Sequence, residues 1–165
     1  MYSKILVPID GSETSAAGLD EAIKLAKFLG SQVCLLHIVN EFVMDSAFAP
    51  AQYSSELLEL MRKGGQAILD AAESTVQRQG IKPTCVLLES IGGVAADSII
   101  EQAKNFHAEL IVMGTHGRRG IFRLAMGSDA EQVLRASSIP VLLVRGQAAA
   151  KKAAVAATQI QAAAA

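Results

Sequence analysis

Residues 113–131 read MGTHGRRGIFRLAMGSDAE and follow directly on the apolar run Leu110-Ile111-Val112. Gly114, Gly117 and Gly127 punctuate a stretch that carries Arg118, Arg119 and Arg123 and ends at Ser128, where an apolar stripe of helical period begins. Without a Cβ, glycine lets backbone N–H groups come close to an anion. The unpaired N–H groups at a helix start add the positive end of the helix dipole. The Ser128 hydroxyl is expected both to cap that helix and to donate to a phosphate. The arginines are solvated by default, with phosphate or partner contact as the alternative. This spacing is neither a Walker loop nor a dinucleotide fingerprint. Glycines after a strand are also ordinary turn residues, so these residues alone fit a phosphate cradle and a plain turn equally well. A hairpin turn needs only about two to five residues, and a loop of this length inside a compact domain is functional or disordered, which the rest of the chain must decide.

A cradle works only where the fold puts it beside another loop. Short apolar runs without helical period lie at 4–9, 32–39, 84–89, 110–114 and 141–145. They are rich in Val, Ile and Leu on both faces, as strands covered on both sides are. Helical patterns separate them. Residues 15–29 carry a stripe opened by the polar Ser12-Glu13-Thr14-Ser15 and stopped at Gly30. A longer stripe runs from Leu57 to Val76 and ends at Gly80. Gly64 and Gly65 lie on it, each costing up to about 1 kcal/mol against Ala, and are read as a point where helix and sheet approach closely. Residues 94–106 and 128–136 give two further stripes, and 40–53, with Pro50, reads as a surface loop.

Strands alternating with helices predict an α/β fold, a doubly wound parallel sheet with right-handed crossovers and helices on both faces. Ligands of such sheets bind beyond the carboxyl ends of the strands, where strand order reverses. If the first and fourth strands are central neighbours, PIDGSETS and MGTHGRRG open into one crevice.

Composition bounds the rest. The 165 residues are 51% hydrophobic and 19% charged, enough for a full core. A net charge of −1 and a pI near 6.3 give no footprint for nucleic acid or an anionic membrane. Apolar runs are far too short to cross a bilayer, and Asp10 stops the first one too early for a signal-peptide core. The expected location is cytoplasmic. Cys34 and Cys85, both within strand-like runs, read as buried reduced thiols. Residues 147–165, QAAAKKAAVAATQIQAAAA, are a low-complexity tail, frayed or weakly helical, with almost nothing to bury.

Gly-x2-Gly-x9-Gly-Ser after a strand and opening a helix resembles the ATP-binding signature of the universal stress protein family. ILVPIDGSETS, LLHIVN and SSIPVLLVR match its other marks, and the resemblance covers about residues 2–146. It implies a Rossmann-like sheet, of the adenine nucleotide alpha hydrolase type, in the order 3-2-1-4-5. It also implies a dimer and bound ATP, with ADP and AMP as alternatives and Mg²⁺ held through the phosphates. Residue by residue, Pro8, Ile9 and Asp10 border the nucleoside, with Asp10 near the ribose or a metal-bound water. Ile38 meets the adenine through its backbone. Met113, Gly114 and Gly117 line the ribose and phosphate side, with Arg118 beside them. Gly127, Ser128 and the amides of Asp129 and Ala130 hold phosphates. The family often has a small or apolar residue and then Ser or Thr at these last two positions, so Asp129 adds a repulsive charge unless it points away.

Of the histidines, His37 reads as a packing or hydrogen-bonding residue and His107 as a solvated cation at a helix end. His116 is a candidate for the edge of a ligand. Their spacing is not that of a metal site. Ser128 has no local base, which argues against nucleophilic catalysis. DGSETS replaces the Ser-Gly-Gly-x-Asp-Ser loop of adenylylating enzymes. The expected function is therefore a nucleotide-dependent stress or regulatory module with an unnamed protein partner. The alternatives are a slow Mg-dependent ATP hydrolase or phosphotransferase and a nucleotide-free dimeric scaffold. The edge strand from Val141 to Arg145 is expected to pair a homodimer.

Overall fold

Ile5, Leu6 and Val7 have no solvent exposure, and that burial makes β1 (Lys4–Pro8) the centre of the sheet. The computed structural model describes residues 1–41, 51–91, 94–116 and 126–146. From β1 the chain runs through α1 (Glu13–Leu29), β2 (Gln32–Glu41), α2 (Ala51–Gln77) and β3 (Thr84–Ile91). It then returns through α3 (Ala95–Phe106), β4 (Leu110–Gly114), α4 (Ser128–Ala136) and β5 (Val141–Val144). The five strands are parallel and lie in the order β3-β2-β1-β4-β5, as the sequence pattern and the resemblance imply.

Alternation along each strand sorts the core into two layers. Ile5, Val7, Val33, Leu35, Leu110 and Val112 pack under α1 and α2. Leu6, Cys34, Leu36, Ile111 and Met113 face the other way, under α3 and α4. The two cysteines therefore lie on opposite faces, with Cys34 buried and Cys85, against expectation, only half-buried. Burial pushes both thiols up to about 11, so both stay protonated at neutral pH.

Several boundaries differ from the sequence reading. Asn40 and Glu41 extend β2, because they find register partners in Ser90 and Ile91 of β3. Residues 51–53 are already helical, so the loop read over 40–53 is shorter at both ends, and 42–50 lie outside the described residues. α1 begins at Glu13, two residues before the apolar stripe, and Ser12 caps it: its side chain accepts a hydrogen bond from the Ser15 amide. The tail at 147–165 also lies outside the described residues.

The Gly64-Gly65 pair divides into two roles. A Cβ on Gly65 would lie 2.7 Å from Cδ2 of His37 and 3.0 Å from Cγ2 of Val39, so this glycine does let α2 settle on β2. A Cβ on Gly64 would meet nothing within 4 Å. Gly64→Ala is expected to stabilise the protein by up to about 1 kcal/mol through helix propensity. Gly65→Ala should cost roughly 1–3 kcal/mol through overpacking. Paired denaturant melts check the opposite signs; the same sign for both would mean that the contact with His37 does not hold α2 in place.

Candidate functional site

The reversal of strand order falls between β1 and β4, which are neighbours in register through Ile5↔Leu110 and Leu6↔Ile111. Their carboxyl ends, and the elements that follow them, are drawn together by short-range contacts. α1 lies close to the backbone of β4. A Cβ on Gly18 would be 3.1 Å from the Gly114 nitrogen, and one on Gly114 would be 2.6 Å from the Thr14 carbonyl carbon. Thr14 Oγ1 donates to the His116 carbonyl oxygen. The start of α1 is thus fastened to the exit of β4.

A compact turn carries the chain from β1 into α1. The Asp10 carboxylate accepts the Ser12 amide at 2.9 Å, and the Asp10 amide donates to Ser15 Oγ at 3.1 Å. This is an Asx turn closed from both sides. Behind it, His37 is buried and its Nδ1 lies 2.7 Å from the Ile9 carbonyl oxygen, while the Ile9 amide donates to Leu36 at 2.8 Å. His37 is therefore the hydrogen-bonding core histidine that its position suggested.

On the β4 side, the Thr115 amide donates to Val144 at 3.0 Å and the Gly127 amide donates to the Thr115 carbonyl oxygen at 2.9 Å. The second bond ties the two ends of the 116–126 stretch together and brings α4 to the same end of the sheet. Thr115 Oγ1 and His116 Nδ1 are 2.9 Å apart, and His116 is half-buried.

Helix α4 begins one residue earlier than a serine cap would require. Gly127 holds the cap position with φ −62° and ψ 143°, and no side chain caps it; Ser128 is already helical and exposed. The first-turn amides of α4 have no intrahelical acceptor, and among the described residues no side chain caps them, the arrangement that suits an anion. Asp129 is exposed on the same turn, where the dipole favours an acid. Ala130 is buried against the α3–α4 layer, so only its backbone can face a ligand.

The other expected site residues separate clearly. Pro8 and Asp10 are half-buried at the end of β1. Ile9 is only 5% exposed and Met113 7%, and each side chain belongs to a core layer, which leaves their backbones alone for a ligand. Ile38 is half-buried and packs on the α3–α4 layer, level with Leu88 of β3. At Gly114 the space where a Cβ would go is taken by the backbone of Thr14, so the packing of α1 by itself requires a glycine there. Gly117 and Arg118 lie outside the described residues. Thr14 and Thr115 were not picked out from sequence, nor was the pairing of Ile9 with His37, although each of those two was named singly. Gly18 inside the apolar stripe of α1 was the available signal for Thr14, since a helix-interior glycine needs a reason.

The model of the universal stress protein family matches residues 1–145. The universal stress protein MJ0531 of Methanocaldococcus jannaschii is 37% identical over 146 residues, covering 88% of this chain and 83% of that protein. The solved structure of MJ0577, from the same archaeon, superposes with a TM-score of 0.76 at 26% identity and covers 88% of this chain and 96% of that one. A universal stress protein solved in complex with cAMP shares the fold at a TM-score of 0.63 and 24% identity, covering 88% and 98% of the two chains. With the sheet order, the crevice and this match over nearly its whole described length, the chain belongs to the universal stress protein family.

Proposed function

We propose that this chain is an ATP-binding member of the family, a nucleotide-dependent regulatory or stress-response module. One observation carries the reading. At the strand-order reversal, a glycine-bounded stretch has its ends tied by the Gly127–Thr115 hydrogen bond and opens into α4 through a cap that no side chain fills. In the proposal, Pro8 and Asp10 border the nucleoside and the backbone at Ile38 meets the adenine. The backbone at Met113, with Gly117 and Arg118, follows the ribose and phosphates. Gly127, Ser128 and the amides of Asp129 and Ala130 receive the terminal phosphates. Mg²⁺ arrives with the nucleotide. The Asp10 carboxylate is engaged by the Ser12 amide, so it serves to shape the turn rather than as a general base. That favours a binding module over an ATP hydrolase. The cAMP complex of a distant family member speaks for shared architecture; the ligand class here rests on this chain's own residues.

A ligand that binds only the folded state, present at a hundredfold excess over Kd, stabilises by about 2.7 kcal/mol. For a chain of this size that raises the Tm by roughly 5–10 °C. Millimolar Mg-ATP is expected to give such a shift without phosphate release, and Gly117→Val should abolish it with the fold retained. An unchanged shift in that variant would remove the glycine stretch from the site, and steady phosphate release would favour the hydrolase. Asp129 supplies a second measurement. If its carboxylate faces the terminal phosphate, Asp129→Val tightens ATP several-fold and leaves AMP nearly unchanged; isothermal titration giving equal effects would mean that the side chain points away.

We further propose a homodimer through β5. The β4 bonds reach Pro140 and Val144 through the Ile111 and Thr115 amides, so by the two-residue period the Leu143 N–H and C=O point to the open edge. β3, the other edge, carries Glu89 clasped by Arg62 at 2.6 and 2.7 Å, a charged pair that discourages strand pairing. Leu143→Pro leaves the β4 ladder intact and removes an edge donor, so it is expected to yield monomer or aggregate by light scattering. A stable dimer in this variant would move the interface elsewhere, and a monomeric wild type at micromolar concentration would refute it.

A further inference from the structure

Strand β2 outruns its neighbour β1. The ladder between them is in register from Lys4↔Gln32 to Pro8↔Leu36, and one further bond follows, from the Ile9 amide to the Leu36 carbonyl oxygen at 2.8 Å. β2 itself continues to Glu41 along β3. In a parallel ladder the donor due next is the Ile38 amide, which would give to the Ile9 carbonyl oxygen. That oxygen has another partner. Nδ1 of His37 lies 2.7 Å from it, and because a carbonyl only accepts, Nδ1 is the donor. The imidazole thus stands in for one backbone rung, and the registered pairing of β1 with β2 stops there.

The ring is held in that place. His37 is 5% exposed, and α2 backs it: a Cβ on Gly65 would lie 2.7 Å from Cδ2 and 3.1 Å from Nε2. In a dense interior a ring wedged this closely has little room to turn.

Backbone alternation then decides what Ile38 offers. Gln32 donates its amide to Ser3 and Leu36 accepts from Ile9, so the even residues of β2 turn N–H and C=O toward β1. Ile38 has the same parity, and beside it β1 has already left the sheet for the Asp10 turn. Its N–H and C=O are therefore a donor and an acceptor on one strand residue, aimed past the end of β1. Adenine matches such a pair, with N1 accepting and the N6 amino group donating. Guanine presents the two in the opposite order, an acceptor at O6 and a donor at N1.

We infer that His37 is the positioning residue of the base subsite: by taking the Ile9 carbonyl it keeps the Ile38 amide out of the ladder and turned to a base of the adenine type. This rests on the nucleotide reading proposed above and extends it, since the buried imidazole reaches the base only through Ile38. Without the imidazole, the Ile9 oxygen is an unpaired acceptor facing the Ile38 N–H. The two then close as the missing rung and withdraw the donor from the base.

Isothermal titration of the full chain with Mg-ATP and Mg-GTP tests this, with hydrogen exchange of the Ile38 amide as a readout that needs no nucleotide. The wild type is expected to bind ATP about tenfold more tightly than GTP, the worth of one hydrogen bond. His37→Leu should lose ATP affinity by about the same factor, leave GTP nearly unchanged, and slow the exchange of Ile38 as the rung closes. His37→Asn, whose amide nitrogen takes the place of Nδ1, should behave as the wild type in all three respects. Equal losses of ATP and GTP in His37→Leu, the result of a merely damaged site, would overturn the role. So would unchanged Ile38 exchange in that variant, or an asparagine variant as weak as the leucine one. Should His37→Leu fail to fold, Gly65→Ala, which pushes the ring off its seat, decides: selective loss of ATP supports the role and equal losses overturn it. A wild type that binds ATP and GTP alike would overturn the role and leave a nucleotide site, whereas one that binds neither would remove the nucleotide reading and the role with it.

Discussion

Everything at the functional end of this molecule depends on how closely α1 lies on β4. Gly18 and Gly114 bring helix and strand together with no side chain between them, and Thr14 takes the space a β-carbon on Gly114 would fill. That approach lets the Thr14 hydroxyl reach the carbonyl oxygen of His116. One contact therefore fixes three things: the tilt of α1, the direction of the chain leaving β4, and the placement of Gly146, which packs on the same threonine. Interiors at crystal-like density have no slack to absorb even one added methyl here. A parallel sheet makes a crevice wherever its strand order reverses; this contact decides how narrow the crevice is.

A second support acts from the β2 side. His37 reaches across to the Ile9 carbonyl oxygen, an acceptor beyond the last residue of β1. Left unpaired in a buried position, that carbonyl would cost about 1–3 kcal/mol. Gly65 clears the space for the imidazole, so α2, β2 and the end of β1 are coupled through one ring. The Asx turn of Asp10 hangs from this anchored carbonyl. Its position relative to β4 is therefore set by packing on both flanks rather than by the loop's own preferences.

Much of this was legible in sequence, and the unevenness has a physical cause. Buried parallel strands are continuous apolar runs, so β4 and α4 come out with their observed bounds and the other strands within two residues at each end. Ends drift where tertiary pairing extends an element beyond its own pattern, as β3 does for Asn40 and Glu41. The glycines are the instructive case. Gly114 was visible as a residue that must stay small, but sequence does not say what stands beside it; the backbone of Thr14, a hundred positions earlier, takes the space a Cβ would fill. In the same way Ser128 carries the right chemistry for a cap, yet Gly127 takes the cap position. Composition and period predict elements well because they are local. Which side chain fills a given gap is set by distant residues, and a single sequence does not record it.

The net charge of −1 is no obstacle to binding a polyanion at such a crevice. What matters is the field over a few ångströms, since charges beyond about 8–10 Å are screened at physiological ionic strength. At the start of α4 the charges among the described residues are of both signs: backbone amides that no described side chain caps, and the carboxylates of Asp129 and Glu131 in the same turn. The acids steady the helix in the absence of ligand, because they partner the dipole that an anion would otherwise meet. Their presence lowers the cost of leaving the cap empty and, for the same reason, weakens the attraction for a phosphate. The site is thus balanced between two ways of satisfying one helix end. In the proposed reading, a module that responds to nucleotide rather than retaining it needs an equilibrium of that kind, since a ligand shifts a population only by its differential affinity for the two states.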